Sequence, residues 1–189
     1  MPYRTARVTD GAEDDSGHGA PDDAGRGASD DAAHGAPDGG VAGVETLTVA
    51  PGVLEAIVDH GRREYPREAC GIVAGRDGRA QKVYPLANVA SDPVRRYLID
   101  AGQQRAALAA MRAEGQEPVA VFHSHPRTAA APSGVDVDLA YHPELVYIIV
   151  SLAFDPPEVR AYRIDREARR VSPVALQVPQ RAPGQGEQA

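Results

Sequence analysis

The period of apolar positions changes several times along this chain, and each change marks an element. Leu47 to Val49 reads as a short strand. Pro51 then suits a first helical turn, and Val53, Leu54, Ile57 and Val58 fall on one face of a helix ending near Tyr65 and Pro66. Gly71 to Gly75 is an apolar run too short for a helix. With the Asp77-Gly78 turn and a second strand around Gln81 to Leu86, it predicts a hairpin. Asp100 caps a helix from Ala101 to about Glu114, on which Leu108 and Met111 keep helical spacing, and Gly115 stands just past its end. Val119 to His125 is extended. A loop from Pro126 to Pro132 leads to a short helix near Val135 to Tyr141 and a strand from Leu145 to Ser151. Val159 to Ile164 and Val171 to Leu176 complete the pattern as an antiparallel pair. The sum is an α/β domain, a mixed sheet with helices packed on it.

Composition sharpens the boundaries of that domain. A chain of 189 residues that is 42% apolar suits one globular domain plus tails. The net charge of -7 is concentrated at one end: residues 1–44 carry nine acids against three bases, leaving only -1 for everything after them. The near-neutral remainder lacks the basic footprint of a nucleic-acid binder. Residues 1–44 are also rich in Gly, Ala, Pro and Asp and repeat His18-Gly-Ala-Pro-Asp22 as His34-Gly-Ala-Pro-Asp38. They are expected to be a disordered acidic tail, with no preorganised metal site at His18 or His34. Residues 179–189 read likewise, which leaves 45–178 as the folded domain. The lone Cys70 cannot form an internal disulfide, and the chain shows neither a secretory apolar stretch nor a run approaching about 18 apolar residues. A soluble, cytoplasmic protein is expected.

Chemistry enters with His123-Ser124-His125-Pro126, followed by Ser133 and Asp136. Residues i and i+2 of a strand share a face, so both imidazoles project together and one metal ion can take both. A carboxylate at the start of the next helix supplies a third ligand, the number typical of catalytic zinc with a fourth position left to water. Glu68, just before an apolar strand, is the candidate general base. Taken singly, each residue also has a structural account. His123 and His125 can be polar strand residues, Ser133 and Asp136 form a capping box, and Glu68 can sit at the surface. Taken jointly they point to zinc hydrolysis.

These residues carry a resemblance. Glu68, His123, His125, Ser133 and Asp136, with Pro126 after the second histidine and Cys70-Gly71 after the glutamate, resemble the signature of the JAMM (MPN+) zinc metalloproteases. The resemblance covers about residues 46 to 178 and is closest to the short bacterial and archaeal members. Among these it resembles the actinobacterial enzymes that cleave a cysteine adduct from a ubiquitin-like sulfur-carrier protein. Asn88 to Ala90 and Arg96-Tyr97 are further shared features. The resemblance implies a deaminase-like three-layer α/β sandwich, a mixed β-sheet flanked by helices, holding one Zn2+ per chain. It also implies His123, His125 and Asp136 as metal ligands, Glu68 as base and then acid, and Ser133 as donor to the oxyanion. The implied partner is a sulfur-carrier protein ending in Gly-Gly, in cysteine biosynthesis. No signature position departs from the family pattern, whereas the long N-terminal tail does.

Other readings are weighed against this one. Cys70 begins an apolar strand and is expected to pack rather than to act as a nucleophile, with a regulatory metal contact by its thiolate left as an alternative. Zinc deaminases carry His-x-Glu and Pro-Cys-x-x-Cys, and this chain has neither. The same hydrolysis on a different tail, as in deubiquitinase-like isopeptidases or small-peptide hydrolases, and a non-catalytic MPN interaction module remain as alternatives. Arg127, Thr128 and Tyr141 are near the histidines in sequence, and the chain assigns them no role.

Overall fold

The computed structural model describes residues 3–5 and 44–179. The strands are β1 (Arg4–Thr5), β2 (Thr46–Thr48), β3 (Cys70–Arg76), β4 (Arg79–Leu86), β5 (Glu117–His125), β6 (Val146–Ser151), β7 (Glu158–Asp165) and β8 (Arg170–Gln177). The helices are α1 (Val53–Glu64), α2 (Ala101–Ala113) and α3 (Gly134–Asp138). Seven strands follow the order β2-β8-β7-β6-β5-β3-β4, and β1 pairs with β7. In the middle, β5 runs parallel to β6 and antiparallel to β3. Both faces of β5 and β6 are buried, which is why Val146 to Val150 reads as an unbroken apolar run rather than an alternating one.

The period-2 geometry of the sheet sorts its side chains into two layers. On one face, α1 buries Val53, Leu54, Ile57 and Val58 against Phe122, Ile148 and Val150. On the other, α2 packs Ala107 and Met111 over Ile72, Ala74 and Leu86. Beside it, Val137 of α3 packs with Val121, Tyr147, Ile149 and Ile164. The result is the expected helix–sheet–helix sandwich. The sheet also curls: Val49, after β2, bridges Ala80 in β4, and Ala50 N–H donates to Ala80 O at 2.8 Å. That contact brings the first and last strands together and covers edges that would otherwise be open.

Three local differences from expectation have physical causes. Pro51 and Gly52 form a turn, and α1 starts at Val53 because Gly52 sits at φ 87°, a conformation that suits glycine. The short helix spans Gly134–Asp138 rather than reaching Tyr141. At the chain's start, inside the stretch expected to lack structure, Arg4–Thr5 pair in parallel with Glu158 and Val159, and Tyr3 O–H donates to Glu55 at 3.3 Å. The tail expectations for residues 6–43 and 180–189 lie outside the described residues.

Gly71 is set by close approach: a Cβ there would fall on the Tyr84 carbonyl oxygen and the Phe122 ring, both nearer than van der Waals contact permits. Gly71→Ala is therefore expected to lower unfolding stability by about 1–3 kcal/mol. Urea denaturation measures this, and an unchanged midpoint would contradict it.

Candidate metal centre

The two histidines of β5 do face one way. Their Nε2 atoms lie 3.0 Å apart, with His123 1% and His125 5% exposed. Asp136, in the first turn of α3, places Oδ1 3.2 Å from His123 Nε2 and Oδ2 3.4 Å from His125 Nε2. A capping box aims that carboxylate: Ser133 N–H donates to Asp136 Oδ2 at 2.7 Å, and Asp136 N–H donates to Ser133 Oγ at 3.2 Å. The cap of α3 thus also sets where the Asp136 carboxylate points. His125 Nδ1 donates to Ala129 O at 2.8 Å, which assigns the ring hydrogen to Nδ1 and leaves the Nε2 lone pair facing Asp136. The loop supplying that carbonyl is tied down on both sides. Ser151 O–H donates to Thr128 O at 2.6 Å, and Tyr162 O–H donates to Ala130 O at 2.7 Å.

Ligand atoms of His123, His125 and Asp136 all lie within 4.8 Å of one another, so the three side chains could hold a metal ion. Burial works to raise the Asp136 pKa, but hydrogen bonds with His123 and His125 outweigh it and hold the carboxyl well below its usual range. Burial works to lower the His125 pKa, and its bond to Asp136 overcomes that and raises it. At His123 burial prevails over Asp136 and keeps the ring neutral. Without a cation, two nitrogen lone pairs and an anion compete for a shared proton. Two imidazoles and one carboxylate are a donor set of the kind that holds a catalytic metal with a position left open.

Glu68 reaches the cluster through strand register. Cys70 of β3 lies opposite His123 of β5. Ser124 N–H donates to Ala69 O at 2.9 Å and Ala69 N–H to Ser124 Oγ at 2.8 Å, which carries the register on so that Glu68 falls opposite His125. Facing residues of an antiparallel pair share a face, so Glu68, Cys70, His123 and His125 point into one layer. Glu68 is 5% exposed, and its Oε2 has no hydrogen-bond partner among the described residues. Burial pushes its carboxyl up to about 7, against the pull of His125 and with added repulsion from Asp136 and Asp92. Such a group is poised to exchange a proton near neutrality.

The remaining expectations fall into place around this cluster. Cys70 is fully buried, and burial pushes its thiol up to about 12, as suits a packing residue. Arg127 and Thr128 are exposed, and Tyr141 lies under the Arg166 guanidinium at 4.5 Å. Sequence reasoning missed what Ser124 and Tyr97 do. The Tyr97 ring stacks on His123 with centroids 4.5 Å apart at 21°. Nothing local in sequence announces a contact between residues so far apart.

The family described as prokaryotic homologs of the JAB domain matches residues 50–165. A CysO-cysteine peptidase of Mycobacterium tuberculosis is 38% identical over 135 residues, covering 69% of this chain and 91% of that protein. A probable TtuB-protein conjugate cleaving protease of Thermus thermophilus is 37% identical over 138 residues, covering 73% and 88%. A solution structure of a protein from Desulfitobacterium hafniense is 33% identical with a TM-score of 0.64, covering 72% of this chain and 94% of that one.

The Asp136–His125 pairing gives a pH dependence in metal-free protein. The raised His125 pKa contributes stability that is full below 6.5 and is lost as pH rises through the folded value. The depressed Asp136 pKa contributes stability present above 3.8 and lost as pH falls through its folded value. The stability difference between wild type and Asp136→Asn, which keeps an acceptor for Ser133 N–H, should be largest between those two values and shrink at higher pH. Urea denaturation after chelation tests this, and a difference that grows above neutrality would contradict it.

Proposed function

The chain belongs to the prokaryotic JAB-domain family, and from that premise we propose that it is a zinc peptidase acting on a ubiquitin-like sulfur-carrier protein. It hydrolyses the bond after the carrier's C-terminal glycine and releases cysteine, as in cysteine biosynthesis. The observation that carries this reading is the buried convergence of His123, His125 and Asp136, with Glu68 raised to about 7 beside them. The relatives named for CysO-cysteine and TtuB-conjugate cleavage support the substrate class.

In this reading His123 Nε2, His125 Nε2 and the Asp136 carboxylate hold the ion. Bound there, zinc supplies Lewis acidity and brings the pKa of its water to about 7. Glu68 takes the proton from the attacking water and passes it to the leaving amine as the C–N bond breaks, leaving a glycine carboxylate and free cysteine. Ser133 Oγ accepts from Asp136 N–H, which leaves its own O–H free to donate to the developing oxyanion. Ala129 O fixes the His125 ring, and Tyr97 covers His123.

An apolar cleft of about 570 Å3, whose walls include Ile99, Leu108 and Tyr141, shares with the site the Tyr97 ring that stacks on His123 and supports a protein tail as substrate. We assign catalysis to residues 45–178 and place the enzyme in the cytoplasm. Among the described residues no helix is long and apolar enough to cross a membrane. A second reading, isopeptide cleavage of carrier–protein conjugates, is favoured by the TtuB relative and uses the same residues.

Glu68→Gln should retain one zinc per chain while kcat falls by about 10²–10⁴-fold. Elemental analysis with steady-state turnover of a carrier–cysteine adduct reads both, and wild-type turnover would overturn the role of Glu68. Carriers ending in Gly-Gly-Cys should be cleaved with higher kcat/KM than Gly-Gly-lysine isopeptides. The reverse order would favour the second reading.

A further inference from the structure

Asn88 lies buried just past β4, 4% exposed, and its side-chain amide makes five hydrogen bonds to backbone. The two Nδ2 hydrogens serve three carbonyls, Glu68 O at 2.9 Å, Arg96 O at 3.1 Å and Pro93 O at 3.3 Å, so one hydrogen is shared between two acceptors. Oδ1 accepts from the N–H groups of Ala90 at 3.0 Å and Leu98 at 3.1 Å. The segment 89–98 has no helix or strand of its own and closes on itself through Asn88 and Ile99, which form an isolated bridge, and through Val89 N–H to Leu98 O at 2.8 Å. Arg67 adds a bond from its guanidinium to Asn88 O at 2.8 Å.

Two parts of the site hang on this one amide. Glu68 is held from both ends of its peptide group: its N–H donates to Pro93 O at 2.7 Å, and its carbonyl accepts from Asn88. Tyr97, the ring stacked on His123, lies between Arg96 and Leu98, the carbonyl and N–H that Asn88 engages. Only a side chain presenting a donor and an acceptor in one plane can serve both sets. A carboxylate of the same size keeps the two accepted bonds and turns an anion toward three carbonyls.

We propose that Asn88 is a positioning residue for hydrolysis, locking the Glu68 backbone and the Tyr97 plate into one rigid unit against β5. This rests on the role assigned to Glu68 above. Displacing a proton-transfer group by about 1 Å costs on the order of 10²-fold in rate, so the amide acts chiefly on kcat through Glu68, with a smaller effect on KM through Tyr97, a wall of the apolar cleft.

The test uses the full chain and two variants, Asn88→Asp and the smaller Asn88→Ser. In metal-free protein, amide hydrogen exchange at Glu68, Ala90 and Leu98 should accelerate by about tenfold or more, while Ile148 and Ile149 in β6 keep their protection. In zinc-loaded protein, kcat should fall about 10²-fold while KM, read through the Tyr97 wall of the cleft, rises by less than about tenfold. In a Glu68→Gln background, Asn88→Asp should add no more than about a twofold further loss. Wild-type kcat despite the loosened segment, or an equal loss with and without Glu68, would overturn the proposal. So would unfolding of both variants, which would assign Asn88 to stability alone. Failure of the Glu68 role shows separately, as wild-type turnover by Glu68→Gln alone, and it would take the proposal with it.

Discussion

Two imidazole nitrogens buried 3.0 Å apart and facing one carboxylate set an electrostatic demand that a proton on His125 meets in acid and ceases to meet as pH rises. A single proton serves one lone pair and leaves the other facing it. A divalent cation serves all three donors at once, and the low dielectric of the interior strengthens each of those attractions. The rest of the site is arranged around that demand. The capping box fixes the carboxylate, Ala129 O fixes the His125 tautomer, and burial keeps His123 neutral and able to donate its lone pair.

The fold meets the demand by burying β5 on both faces near the middle of its sheet. Its α1 face carries Phe122 and Ser124 into packing and backbone pairing, which frees the opposite face for His123 and His125. Register with β3 then brings Glu68 to the same cluster from the far end of a neighbouring strand. Burial raises Glu68 toward neutrality while the histidines and Ser133 depress Asp136. Two carboxylates of one pocket are thereby separated in acidity, one suited to moving a proton and one to holding a cation.

Much of this was legible in the sequence because it is local or periodic. The His-x-His spacing gave a shared face through strand period alone, and Ser133-x-x-Asp136 announced its own box. The hairpin and the Asp100 cap followed from turn and capping chemistry. What stayed hidden is non-local. The closure of Val49 on Ala80 joins elements that no short-range pattern relates, and the pairing of Arg4–Thr5 with β7 spans almost the whole chain. Asn88 and Tyr97 stood out only through the family resemblance, which assigned them no role, since five bonds to scattered backbone groups and a ring stacked on a distant histidine leave no mark on spacing.

Binding of one zinc ion by His123, His125 and Asp136 is read by X-ray absorption at the zinc edge on the protein loaded with one equivalent. Two imidazole nitrogens and oxygen donors at about 2.0–2.2 Å in four-coordinate geometry are expected. A spectrum without imidazole scattering, or a protein that retains no zinc after desalting, would contradict it.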